Sequence, residues 1–346
     1  MFSPKLSRYC GVRAKYRPAT NTPSPRAVEQ ALQARLDDLE RQMSTWRADS
    51  DLSRFNAGRD TNWFPVPRDT AVVVREALEV SRLTDGAFDV TVFPLVQLWG
   101  FGPGGKKGRV PSDADIAVAL KRVGWQKLET RPEPPALRKS QPDVAVDLSA
   151  LCPGFASDSL GELLEARGVR DYLVEVGGEF RARGHGTLGP GWRVGVERAG
   201  DLQSPSERSA DAHVRSRTTP ATATADVGVR APLAEGPLAA TVTLTNRSLA
   251  TSGDYRNFFT VAGRRFSHHL DPRTGRPTES TLASVSVIHA STLRADALGT
   301  ALTVLGFERA RALAEREKLA VLFLLRHEEK LEVRSTPAWP MLPKVD

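Results

Sequence analysis

Residues 156–178, ASDSLGELLEARGVRDYLVEVGG, hold a helix, a stop and a strand in one unbroken run. The segment 156–168 reads as a helix closed by Gly168, because glycine takes the left-handed conformation that ends a helix. YLVEV (172–176) follows directly as a strand and ends at Gly177-Gly178. Outward from it, residues 27–45 form a second helix. Val28, Leu32, Leu36, Leu39 and Met43 recur there at spacings of four, four, three and four, one stripe of a 3.6-residue period. A helix over 68–83 starts after Pro67 with Asp69 as its cap, and another over 112–122 opens on SDAD. A last helix, 294–305, precedes FERARALAEREK and the strand-like AVLFLLR. DSDLSRFNAG (49–58) reads as a turn. Helices and short strands mix without the strict alternation of a doubly wound parallel sheet. The fold class is therefore α+β, with mixed or antiparallel sheets covered by helices.

FSHHLDPRTGRP (266–277) is the densest chemical stretch. Asp-Pro and Thr-Gly are turn signals, since proline fixes φ and glycine accepts positive φ. The stretch reads as a loop leaving a strand, with His268 aimed by a rigid turn. A plain β-turn with solvent-facing histidines explains the same residues.

Bulk properties exclude several classes. The 346 residues suffice for one large core or two lobes. The net charge of +7 suits an anionic partner. However, 41 acidic residues are interspersed with 48 basic ones, with no Lys/Arg run or aromatic platform, so the footprint of a nucleic-acid binder is missing. Cys10 and Cys152 make neither a disulfide framework nor a zinc site. No run of 18 apolar residues indicates a membrane span. Residues 200–238 are rich in Ser, Thr, Ala, Pro and Arg, and no aromatic lies between Trp192 and Tyr255. That composition reads as a mobile surface insertion between two strands, removable without loss of the fold.

MSTWRADSDLSRFN (43–56), TDGAFDVTVFPLVQLWGFG (84–102), VDLSALCPGFASDSL (146–160), YLVEVGGEFRARG (172–184), TSGDYRN (251–257), FSHHLDPRTGRP and RADALGTALTVLG (294–306) occur in this order. Together they resemble the ApbE-type FAD:protein FMN transferases over about residues 28–325. The resemblance implies two α/β lobes with the cofactor between them. It sets a transferase domain at 27–335, an atypical segment at 1–26 and a tail at 336–346. The implied activity is magnesium-dependent cleavage of FAD, transfer of FMN to a Thr or Ser of an electron-transport-type target flavoprotein, and release of AMP. An enzyme splitting FAD with water, and a member that binds FAD without turnover, remain open beside it. Relatives are usually exported and often lipid-anchored, yet MFSPKLSRYCGVRAK lacks the apolar stretch of a secretory signal. Either the chain stays in the cytoplasm or its start is truncated or mis-set.

Phosphoryl transfer needs positioning and charge neutralisation, normally by a hard divalent cation bridging phosphate oxygens. Asp296 and Thr300 lie i and i+4 on one helix, so a carboxylate and a hydroxyl share a face, with the Gly299 carbonyl beside them. An exposed aspartate and a buried threonine would show the same spacing. The resemblance makes these the metal donors and adds the backbone carbonyl of Ala150. It makes Asp147 a flavin-side aspartate, for which a helix N-cap is the alternative. It also places Ala87, Phe88 and Asp89 of TDGAFDVTV, and Trp46, against the cofactor; Phe88 and Trp46 would equally serve as core. His268 is the implied catalytic residue and a cofactor contact. His269 stands where the family has an aliphatic residue and is expected to be dispensable. Pro153 replaces a charged residue, Cys152 stands where Ala or Gly is usual, and the family's Met-Gly-Thr motif is not recognisable near Tyr9-Cys10-Gly11.

Overall fold

The computed structural model describes residues 12–18, 23–105, 108–186, 189–198, 238–254, 257–327 and 330–340, and the backbone of 225–228. Its centre is an eight-stranded sheet built from β1 (Val12–Tyr16), β2 (Tyr172–Val176), β3 (Glu179–Arg183), β4 (Ala225–Gly228), β5 (Arg247–Gly253), β6 (Leu282–His289), β7 (Ala320–His327) and β8 (Lys330–Ser335). The strand order is β4-β1-β2-β3-β5-β6-β7-β8, and every neighbouring pair is antiparallel. The fold is α+β with an antiparallel sheet.

The central strands are apolar on both sides because both faces are covered. Val285, Val287, Val321 and Phe323 face the helices. Ala283, Ile288, Leu322 and Leu324 face a two-stranded ribbon, 192–197 paired with 238–244, that carries Trp192 and Val242. This is why AVLFLLRH lacks the apolar–polar alternation of a half-exposed strand, and why LASVSVIH, although Ser284 and Ser286 alternate with its valines, is buried at every position but its last.

The helical layer contains α1 (Pro25–Met43), α2 (Asp51–Ala57), α3 (Arg68–Leu83), α4 (Phe93–Leu98), α5 (Asp113–Leu120), α6 (Cys152–Ala166), α7 (Thr292–Leu305) and α8 (Phe307–Arg316). α6 lies over β2 and β3, and α7 over β5 and β6, so the two meet at the middle of the sheet. The stripe on α1 is buried as its period requires. Three expectations change. DSDLSRFNAG holds helix α2, because Ser50 caps it through the Ser53 N–H at 3.0 Å and Leu52 and Phe55 are buried. α3 is preceded by Pro67 rather than capped by Asp69, which instead pairs with Arg35 at 2.7 Å. α6 begins at Cys152, with Pro153 in its first turn where proline costs no intrahelical bond. The boundaries drawn at 26 and 335 both fall inside the packed unit. β1 pairs with β2, and Trp339 is buried in the core beneath the ribbon.

The 200–238 segment is not wholly a removable insertion. Ala225–Gly228 form β4, which pairs antiparallel with β1 through the register Arg13↔Gly228 to Tyr16↔Ala225; residues 200–224 and 229–237 lie outside the described residues. Deleting about 205–235 therefore strips β1 of one of its two partners. We expect soluble protein with a melting temperature several degrees lower, since one lost edge strand costs on the order of 1 kcal/mol or more. An unchanged melting temperature in calorimetry would show that β4 adds nothing.

Among the described residues no helix is long and apolar enough to cross a membrane.

Candidate functional site

A third, smaller core lies under the His268 loop. Leu95 and Trp99, from α4 and the residue after it, pack with Ile116 of α5 and with Phe259 and Phe266 of a hairpin, 258–261 paired with 264–267. His268 follows the second hairpin strand. Its backbone N–H donates to the Asn257 carbonyl at 3.0 Å, and its Nδ1 lies 2.9 Å from the same oxygen. A carbonyl only accepts, so the neutral ring carries its proton on Nδ1 and its lone pair on Nε2. The turn after it is fixed. The Asp271 carbonyl accepts the Gly275 N–H at 2.8 Å, and Asp271 Oδ1 accepts the Arg273 N–H at 2.9 Å. Trp99 Nε1 donates to the Gly275 carbonyl at 2.8 Å, where φ is +71° and a Cβ would meet Ile116 at 2.6 Å. Only glycine fits there.

His269 meets a different partner. It is buried, its ring lies 4.1 Å from that of His268, and its Nε2 sits 2.9 Å from Ser252 Oγ on β5. Burial, and then the neighbouring His268, hold it well below the ordinary histidine range, so it stays neutral.

α7 carries Asp296, Gly299 and Thr300. Asp296 is buried, and its Oδ2 accepts the Gly154 N–H of α6 at 3.0 Å. Burial raises its pKa to about 8, outweighing the Gly154 hydrogen bond that acts in the opposite direction. Thr300, half-buried, follows one turn later on the same face. Gly299 is buried, and its carbonyl already accepts the Thr303 hydroxyl at 2.9 Å. A Cβ on Gly299 would lie 3.4 Å from that of Ser252, so its role is close packing of α7 on β5. Ala150 sits in the turn entering α6, where Leu151 and Cys152 donate to the Leu148 carbonyl at 3.0 and 2.9 Å.

The 84–92 loop meets the segment before α6, since the Asp147 N–H donates to the Val90 carbonyl at 2.8 Å. Asp147 does not cap α6; its Oδ1 accepts the N–H and hydroxyl of Ser149 in a local turn, and burial raises its pKa. Asp89 is buried, accepts the Thr91 N–H at 2.8 Å and hydroxyl at 2.7 Å, and is also raised by burial. Ala87 is buried, and the Phe88 ring belongs to the main core. Trp46 is not core: at 53% it is the most exposed aromatic among the described residues, just past the end of α1.

The ApbE family model matches residues 9–225 and 210–323. The chain belongs to the ApbE family. The FAD:protein FMN transferase of Haemophilus influenzae is 36% identical over 93% of this chain and 85% of its own length. The Escherichia coli K12 protein of the same name is 35% identical, over 90% and 80%. A solved flavin transferase ApbE from Vibrio cholerae superposes with a TM-score of 0.78 at 32% identity, covering 95% of this chain and 94% of its own. The apo flavinyl transferase ApbE of Pseudomonas stutzeri gives 0.78 at 37%, over 94% and 91%.

In this ApbE member the candidate residues are spread over different elements. His268, Asp296 and Thr300 are held on rigid elements. Tyr9-Cys10-Gly11 and the middle of TSGDYRN, Tyr255-Arg256, lie outside the described residues. Sequence reading missed Asp158, buried on α6, which accepts the first backbone N–H groups of α7. Its signal, an aspartate inside a helix, does not reveal a partner more than a hundred residues away.

The raised Asp296 predicts a pH dependence. The folded state binds this proton more tightly than the unfolded chain, so the stability it confers is complete below the ordinary carboxylate range and is lost as pH rises through about 8. In metal-free buffer the melting temperature should fall between about pH 5 and pH 9 more steeply for wild type than for Asp296→Asn. Parallel curves in scanning calorimetry would remove Asp296 as the titrating group.

Proposed function

We propose that this chain is an FAD:protein FMN transferase. It cleaves FAD with magnesium, attaches FMN through a phosphoester to a Thr or Ser of a target flavoprotein, and releases AMP. The observation that carries this is His268, whose Nδ1 is committed to the Asn257 carbonyl so that Nε2 holds the lone pair. Nε2 takes the proton of the acceptor hydroxyl. The hydroxyl oxygen then bonds to the FMN-side phosphorus, the bond to the bridging oxygen breaks, and AMP leaves with that oxygen.

The donor set fits a hard cation. Asp296 is a carboxylate whose charge burial disfavours, a penalty that a bound cation offsets, and its companions Thr300 and Ala150 offer only oxygens. Among the described residues no cluster of three His, Cys, Asp or Glu competes as a metal site. Gly299 is the least suited donor, since Thr303 already uses its carbonyl. Bound there, Mg2+ would neutralise charge on the pyrophosphate oxygens. Asp147 and Asp89, joined through Val90, supply the flavin side, with the backbone of Ala87 and Phe88 beside them. Trp46 offers an exposed ring for stacking.

The test is to mix purified protein with FAD, Mg2+ and an acceptor domain, then denature. Covalent fluorescent flavin on the acceptor with AMP in solution is the expected result. Free FMN and AMP with an unlabelled acceptor would make the chain a pyrophosphatase instead. Bound FAD without either product would make it a binding protein.

A further inference from the structure

α6 and α7 grip each other through their N-terminal halves. Asp158, on α6, accepts the backbone N–H groups of Thr292 and Leu293, the first two residues of α7, each at 3.0 Å. It also accepts the hydroxyls of Thr292 at 2.7 Å and Ser291 at 2.9 Å, and Nη1 of Arg181 at 3.1 Å. In return Asp296, one turn into α7, accepts the Gly154 N–H at the start of α6. A Cβ on Gly154 would lie 2.6 Å from the Thr292 carbonyl oxygen and 2.8 Å from the Asp296 Cβ, so the helices touch with no room to slide.

The first N–H groups of a helix have no intrahelical acceptor, and burying them without one is unfavourable. A carboxylate at that end also meets the positive pole of the helix dipole. Ser291 caps only the Arg294 N–H, at 3.3 Å. Asp158 therefore decides where α7 begins. Thr292, Asp296 and Thr300 follow at successive four-residue steps along one row, so fixing the first fixes the others.

We infer that Asp158 is a positioning residue for the metal set: by seating the N-terminus of α7 it determines where Asp296 and Thr300 present their oxygens. This rests on the reading of Asp296 and Thr300 as metal donors. A residue that orients a metal ligand commonly contributes about ten- to a hundredfold in metal affinity.

The experiment compares Asp158→Asn with Arg181→Gln, which removes the ion pair and leaves the cap. Mn2+ is titrated into each protein with FAD, and free Mn2+ is counted by electron paramagnetic resonance. Amide exchange over 292–300 is followed without metal. Asp158→Asn is expected to weaken Mn2+ binding about tenfold or more and to speed exchange at the start of α7. Arg181→Gln is expected to lower the melting temperature but change neither. Wild-type Mn2+ affinity in folded Asp158→Asn overturns the inference, as does an equal loss in Arg181→Gln, which would mark general destabilisation. If wild type takes up no Mn2+, the metal reading itself has failed. The seating of α7 is then decided by exchange alone: faster exchange in Asp158→Asn upholds it, unchanged exchange overturns it.

Discussion

His268→Ala is expected to lose covalent flavin transfer by about a hundred- to ten-thousandfold while still binding FAD. That corresponds to about 3–5 kcal/mol of transition-state stabilisation. The reason is positional. The imidazole is anchored through Nδ1 to Asn257, and the Asp271–Gly275 turn behind it is pinned by Trp99. His269→Leu is expected to stay within a few-fold of wild type. His269 is buried and neutral, its Nδ1 has no partner among the described residues, and it gives up one hydrogen bond to Ser252. Replacing a buried polar group by an apolar one of similar size is close to neutral when an unpaired atom disappears with it. Single-turnover labelling of an acceptor domain measures both. Activity in His268→Ala together with inactivity in His269→Leu would mean the two histidines exchange roles.

Asp296→Ala should abolish FAD cleavage at millimolar magnesium, a loss on the order of a thousandfold or more, because no other carboxylate on α7 can replace a ligand to a hard cation. The fold should survive, since what is lost in the metal-free protein is one hydrogen bond from Gly154. Asp296→Asn keeps an acceptor for Gly154 and removes the charge, so it should be as inactive as the alanine variant. AMP release, followed by chromatography, is the measurement. Near wild-type release from Asp296→Ala would sink the metal assignment, and full activity in the asparagine variant would show that charge is not what the site uses.

Legibility followed the range of the interactions. α1 and α3 were readable because their buried faces repeat every 3.6 residues. α2 was not, since Asp, Ser and Asn favour turns, and burial of Leu52 and Phe55 against the core tips the segment to helix. Trp46 reads equally well as core or as a cofactor contact, and only its exposure removes the first reading. For Asp147 the N-cap alternative fails because the helix starts five residues later.

The sequence by itself determined the fold class and the family, and it put forward His268, Asp296 and Thr300 as the candidate site. These rest on local period, turn chemistry and the order of short motifs, all of which survive in a linear string. Tertiary structure alone decided that β4 pairs with β1, that His268 commits Nδ1 to the Asn257 carbonyl while buried His269 meets Ser252, and that α6 and α7 hold each other through Asp158 and Asp296. The strand pairing and the helix contact depend on partners far apart in the chain, and burial raises the Asp296 carboxyl and keeps His269 neutral without changing a letter of either motif.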